Sequence, residues 1–353
     1  MKKLIFPPKL KRGSRAAVVS LSMGWLGDEA FESNRKRGCE RLRQLGLDTV
    51  FMPNVMRGSG YLHDHPEARA DDLKAAFADD SIDIIISAIG GDDTYRLLPY
   101  LMDDEEFGRN VREHPKIFIG YSDTTVNHLM FYKLGLGTFY APSFIGNFDE
   151  LADEMLPYTK AAVEGLFDGR ELREIRPAPI WYEERKDFSP AQTGIPRIAH
   201  DETHGFELLQ GKEGFSGELL GGCIESMTDL LTGERYADER EIAERYRIFP
   251  HLDEWRGKVL FIETSEEKMT PEAYEKALNV LKDRGIFGVI NGIIVGKPQD
   301  EVFYEEYKSV LVRVIDEPDL PILYNINIGH AYPKTVLPYG RRAVCYKDKI
   351  ITE

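Results

Sequence analysis

The sequence predicts an α/β protein with an N-terminal parallel-sheet domain, a C-terminal domain of mixed strands and helices, and a cleft between them. Three observations carry this. At 353 residues the chain exceeds the size at which a single hydrophobic core usually stops growing. Its first half alternates short β-rich runs with amphipathic helical stretches, the pattern of a parallel sheet covered on both faces. The apolar run Ile117-Phe118-Ile119 then stops at Gly120-Tyr121-Ser122-Asp123, and Val126 to Phe131 reads as a helix.

Taken in order, strands are expected over 16–20, 48–52, 82–88 and 116–119, and helices over 31–44, 66–78 and 94–101. Three of these strands run into turn-forming segments: Ser20-Leu21-Ser22, Ile89-Gly90-Gly91-Asp92-Asp93 and Gly120-Tyr121-Ser122. In open α/β sheets ligands bind outside the carboxyl ends of the strands, so one site edge can be built from all three. Residues 1–170 form this first domain. The stretch 171–214, with prolines at 177, 179, 190 and 196 and no clean periodicity, reads as a crossover linker and exposed loop. Residues 215–353 form the second unit. It opens at Gly217-Glu218-Leu219-Leu220-Gly221-Gly222-Cys223, with strands over 258–262, 289–295 and 322–325. Its helix over 271–284 follows Thr270 as N-cap, with Pro271 in the favoured first position.

Composition narrows the function. Apolar residues at 42% and charged residues at 30% describe an ordinary globular chain. A net charge of −15 argues against nucleic acid and anionic membranes as partners and favours a small-molecule or peptide substrate. Cys39, Cys223 and Cys345 are odd in number and far apart, which suggests neither a disulfide framework nor a zinc cluster. Lys2 and Lys3 precede Leu4-Ile5-Phe6, but Pro7-Pro8 interrupts before a signal-peptide core can form, and no later apolar run spans a bilayer. A reducing, cytoplasmic location is expected.

A serine at a strand-to-helix apex projects its hydroxyl above the sheet edge, beside the backbone N–H groups that open the helix. Ser122 stands at such a place, although the same residues also suit a plain helix N-cap. A serine nucleophile needs a base and a carboxylate to orient it. Among the 8 histidines, His330 follows the strand ending at Asn325 and comes directly after Gly329, which permits close backbone approach. His128 is placed on the flank of the helix after Ser122, and His63 and His65 are a remote candidate for a metal pair. Glu263 ends the apolar run Val259-Leu260-Phe261-Ile262, so its carboxylate should be partly buried and therefore partnered. Gly90 and Gly91 end another apolar strand; the N–H groups of Gly91 and Asp123 can form an oxyanion hole, or Gly90 to Asp93 can be a tight turn or phosphate cradle.

Taken together, Ala68-Arg69-Ala70-Asp71-Asp72-Leu73, Gly90-Gly91 with Arg96-Leu97-Leu98-Pro99, Pro115 to Asp123, Gly217 to Cys223, Leu260 to Glu263, Gly292 to Gly296 and Gly329-His330 resemble the L,D-carboxypeptidase family of serine peptidases, and its microcin C immunity branch in particular. The resemblance runs over nearly the whole chain. It implies a class I glutamine amidotransferase-like, flavodoxin-like N-terminal fold and an active site at the domain interface. It also implies a Ser122-Glu263-His330 triad with Gly91 and Asp123 as oxyanion donors, no metal or organic cofactor, and a homodimer. The implied activity is amide hydrolysis through an acyl-enzyme, on a peptide or aminoacyl-nucleotide conjugate. Removal of a terminal D-alanine from murein tetrapeptide is the alternative within the family, and a non-catalytic module that binds peptide or nucleotide conjugates is the alternative outside it. Gly90, Asp92 and Trp181 are expected to touch substrate, Trp181 by stacking on a nucleobase. Glutaminase chemistry on the related scaffold would need cysteine where Ser122 stands.

Overall fold

The computed structural model describes residues 4–167 and 174–353. The boundary expected at 170/171 and the pair Lys2 and Lys3 lie outside the described residues. The first sheet takes β1 (Arg15–Val19), β2 (Asp48–Phe51), β3 (Ile84–Ser87), β4 (Ile117–Gly120) and β5 (Phe139–Tyr140) in the parallel order β2-β1-β3-β4-β5. That is the flavodoxin-like order, and its switch point lies between β1 and β3. The strands read as continuous apolar runs because both faces are covered: Val18, Val19, Ile84, Ile85, Ile86, Phe118 and Ile119 are fully buried.

The expected crossover loop holds more structure than its prolines suggested. It contains β6 (Glu174–Ile175), β7 (Ile180–Tyr182), β8 (Ala199–Asp201) and β9 (Glu207–Gln210). β7 and β8 form a hairpin, while β6 and β9 become the edges of the second sheet. That sheet is completed by β10 (Phe215–Cys223), β11 (Val259–Glu263), β12 (Gly292–Gly296), β13 (Ile322–Ile326), β15 (Arg342–Tyr346) and β16 (Lys349–Thr352). β10 to β13 run parallel, and their neighbours pair antiparallel. The short β14 (Leu337–Pro338) crosses back to pair with β5, so the C-terminal unit supplies the edge of the N-terminal sheet.

Local departures have local causes. The expected helix over 94–101 starts as a 3-10 turn, Thr94–Leu97, and becomes α-helical only at Leu98–Met102, where Pro99 occupies a first-turn position that needs no N–H. The strand expected from 289 begins at Gly292, because Val289 follows a 3-10 turn over Ile286–Gly288. The helix Pro271–Asp283 starts as its sequence indicates, with the Thr270 side chain accepting from the Ala273 N–H at 3.3 Å.

Candidate active site

Burial of β4 forces the chain to leave the sheet abruptly at Gly120. A side chain at Gly120 would press on Thr124 and Ser87, so the turn closes only with glycine there. Ser122 then adopts φ +67°, a left-handed conformation costly for a non-glycine residue. A 3-10 turn, Ser122–Thr124, leads into the helix Thr125–Leu134. His128 does not lie on the flank of that helix: it is buried beneath the turn, with Nδ1 2.7 Å from Thr138 Oγ1 and Nε2 3.0 Å from the Gly120 carbonyl. Burial pulls its pKa down to about 4, so it serves as a neutral brace.

The second sheet delivers Glu263 and His330 to the same place. Glu263 ends β11 with 1% exposure, and glycines flank it because a Cβ on Gly296 would lie 2.7 Å from the Glu263 Cβ and one on Gly329 would overlap its carboxylate. Gly329 takes φ +73°, open to glycine at no steric cost. His330 Nδ1 lies 2.7 Å from Glu263 Oε2, and the His330 backbone N–H donates to the same oxygen at 3.2 Å. Tyr140 on β5 donates from its hydroxyl to Glu263 Oε1 at 2.6 Å and accepts from the Ser122 N–H at 3.1 Å, tying the serine turn of one domain to the carboxylate of the other. Lys334 secures the histidine loop from below, donating to the carbonyls of His330 (2.8 Å) and Ala331 (3.1 Å).

The other ring nitrogen is also occupied. His330 Nε2 is 3.0 Å from Glu266 Oε2, and no hydrogen bond joins it to Ser122 among the described residues. Burial pulls the His330 pKa down, but the charges and hydrogen bonds of Glu263 and Glu266 outweigh it and push the pKa up to about 10. The His330 hydrogen bond holds Glu266 down at about 2. In this state the imidazole is doubly clamped and protonated.

Ser122, Asp123, His330, Gly90, Gly91 and Asp92 line one cavity of about 480 Å³ between the domains. A Cβ on Gly90 would stand 2.7 Å from Ser122 Oγ, so any larger residue there crowds the hydroxyl. Gly91 has φ +142° and a Cβ on it would overlap Ser22. Ser22 in turn donates to Asp93 Oδ1 (2.9 Å) and accepts from the Asp92 and Asp93 N–H groups, while the fully buried Arg69 forks onto both Asp93 oxygens at 2.6 and 3.0 Å. That network holds the Gly90-Gly91 turn against the serine turn.

Trp181 is not at this cavity. It alternates inward on β7, stacks on the cross-strand His200 at 4.2 Å, and has the Lys297 ammonium 5.2 Å from its ring, so its faces are already used. The aromatic rings that do line the cavity include Trp25 and Phe31, stacked on each other at 5.4 Å, and Phe188 from the crossover. His63 and His65 form no metal pair: they face Asp93 and Glu67 respectively. Among the described residues, the group whose ligand atoms fall within 4.8 Å of one another is Cys223, Glu263 and His330. Sequence reasoning missed Tyr140, Glu266 and the Arg69-Asp93-Ser22 network. Arg69 alone left a signal, as a charge among Ala68, Ala70 and Leu73.

Residues 16–141 match the LD-carboxypeptidase N-terminal domain and residues 216–344 the LD-carboxypeptidase C-terminal domain. The chain is 48% identical to an MccF-like protein from Streptococcus pneumoniae solved in complex with AMP, with a TM-score of 0.94 over 97% of this chain and 99% of that one. It is 29% identical to a probable murein peptide carboxypeptidase of Bacillus subtilis (strain 168), over 86% of this chain and 81% of the relative. The microcin C7 self-immunity protein MccF of Escherichia coli is 26% identical over 90% and 86%. No helix among the described residues is long and apolar enough to cross a membrane. With both halves matched in order and the whole fold shared, the chain belongs to the LD-carboxypeptidase family and is a carboxypeptidase-type hydrolase.

Proposed function

We propose that Ser122 is the nucleophile of a serine carboxypeptidase or amidase, with His330 as general base and Glu263 as the carboxylate that orients it. The observation that carries this reading is the 2.7 Å contact between His330 Nδ1 and Glu263, beside a serine held at φ +67° in the same cavity. Ser122 attacks the amide carbonyl while His330 Nε2 takes its proton and returns it to the leaving amine. The N–H groups of Gly91 and Asp123 receive the developing oxyanion. Water then cleaves the acyl-enzyme by the same relay. Because Nε2 rests on Glu266, the first requirement of turnover is that Glu266 release it.

The preferred substrate is a peptide or aminoacyl-nucleotide conjugate. The AMP-bound relative and the stacked Trp25 and Phe31 in the cavity support the nucleotide form, since a ring pair of this kind offers a face to a base. Murein tetrapeptide is the second reading, supported by the Bacillus relative. A cytoplasmic homodimer accords with three unpaired cysteines and with the family resemblance. The test is side-by-side hydrolysis of an aspartyl–nucleotide amide and a murein tetrapeptide by wild type and Ser122→Ala, with products read by mass. Cleavage that survives in Ser122→Ala overturns the nucleophile; a serine-directed phosphonate that fails to label Ser122 while the conjugate still binds points to a binding module instead.

A further inference from the structure

One wall of the cavity carries more negative charge than the protein neutralises. Arg235 is the only lysine or arginine among the described residues that line it. Its guanidinium is shared by Asp92 (3.4 Å), Asp229 (3.4 Å) and Glu267 (3.2 Å). Glu239 is left out. It is 3% exposed, lines the same cavity, and its Oε2 is buried with no hydrogen-bond partner. A desolvated carboxyl oxygen without a donor is unfavourable. Burial, then the charges of Asp229 and Asp123, push the Glu239 pKa up to about 9, and burial raises Asp229 as well.

A cation entering the cavity would supply the missing donor and the missing charge together. The spacing does not suit a metal: among the described residues, the three-residue group with ligand atoms within 4.8 Å of one another is Cys223, Glu263 and His330, not this wall. An organic ammonium reaches further and donates in three directions. Asp123, whose charge Glu239 feels, directly follows Ser122, so the wall adjoins the nucleophile and meets the residue whose carbonyl is attacked.

We propose that Glu239, with Asp229 and Asp92, receives an ammonium on the acyl residue of the substrate, selecting amine-bearing residues over neutral or acidic ones at that position. The inference rests on the reading of this cavity as the site of Ser122-dependent hydrolysis. Its test uses the full chain and three α-N-acetylated tetrapeptides that end in D-alanine and differ only in the penultimate side chain: lysine, norleucine or glutamate. Calorimetry measures their binding to Ser122→Ala and to Ser122→Ala/Glu239→Gln, and hydrolysis is followed with wild type. The lysine peptide should bind roughly tenfold or more tighter than norleucine, with glutamate weaker still, and the double variant should bring lysine and norleucine within about twofold. Equal binding of lysine and norleucine, no binding of any peptide, or a preference that survives Glu239→Gln overturns the inference. Serine-dependent hydrolysis without side-chain preference overturns it alone. Lysine-selective binding with no serine-dependent hydrolysis overturns the catalytic reading instead and leaves the cation site standing.

Discussion

Replacing Glu266 with glutamine should make the enzyme faster at neutral pH. His330 sits between two carboxylates, Glu263 at 2.7 Å and Glu266 at 3.0 Å, and its pKa is pushed up to about 10. A protonated imidazole cannot accept the proton of Ser122, so kcat/KM should climb about tenfold per pH unit below that value. The Glu266 side chain is 55% exposed, so its field is partly screened by water. For unit charges at 3.0 Å, Coulomb's law yields ~1.4 kcal/mol at a water-like dielectric and ~5.5 kcal/mol at an effective dielectric near 20. The half-exposed position puts the working value near the lower figure, or roughly 1–2 pKa units. Glu266→Gln should therefore move the acid limb of the pH profile down by about 1–2 units and raise kcat/KM at pH 7 by roughly 10- to 100-fold. Stability provides a second readout with the opposite sign. The raised pKa adds stability that is fully present below the unfolded value of about 6.5 and is lost as pH climbs through about 10. The variant should thus melt below wild type at pH 6 and converge with it above pH 10. The assay is the pH dependence of kcat/KM for one amide substrate, compared between the two proteins. An unmoved limb, or a loss of activity at every pH, would refute the reasoning.

Three further outcomes follow from the same geometry. Tyr140→Phe removes the donor to buried Glu263 Oε1 and the acceptor of the Ser122 N–H; it should cost about 1–3 kcal/mol in denaturant unfolding and lower kcat more than it raises KM, whereas unchanged kcat would show the bridge to be incidental. Ser122→Gly and Ser122→Ala should both lose turnover, but the glycine variant should be the more stable by about 1 kcal/mol because it relieves the left-handed strain at φ +67°; equal midpoints would place the strain elsewhere. Glu150 is 3% exposed and holds both Arg185 (2.7 Å) and Arg197 (2.6 Å), so Glu150→Gln leaves two buried guanidiniums underpaired and should destabilise by about 3–5 kcal/mol, a loss that thermal unfolding would register at once.

Much of the fold and part of the site were legible before the coordinates. The apolar runs of β1 to β4 and β10 to β13 announce buried strands because a strand covered on both faces leaves no position for a charge. The turn at Ser122, the carboxylate ending an apolar run at Glu263, and the glycine before His330 all carry local signals, since each depends on backbone geometry that neighbouring residues announce. Trp181 shows where such signals stop: an aromatic in a polar loop looks available, yet β7 turns it onto His200 because cross-strand pairing is decided by a partner 19 residues away. Tyr140 reaches Glu263 across 123 residues, and Glu239 becomes unpaired only when packing removes its water. By itself the sequence determined the class of fold, the order of its strands and which residue types stood at their ends, because those follow from periodicity and chain geometry over a few residues. Only the tertiary structure decided that His330 would be clamped between two carboxylates and that the cavity would be left short of a cation, because charge balance in a cleft depends on which distant side chains burial brings within a few ångströms.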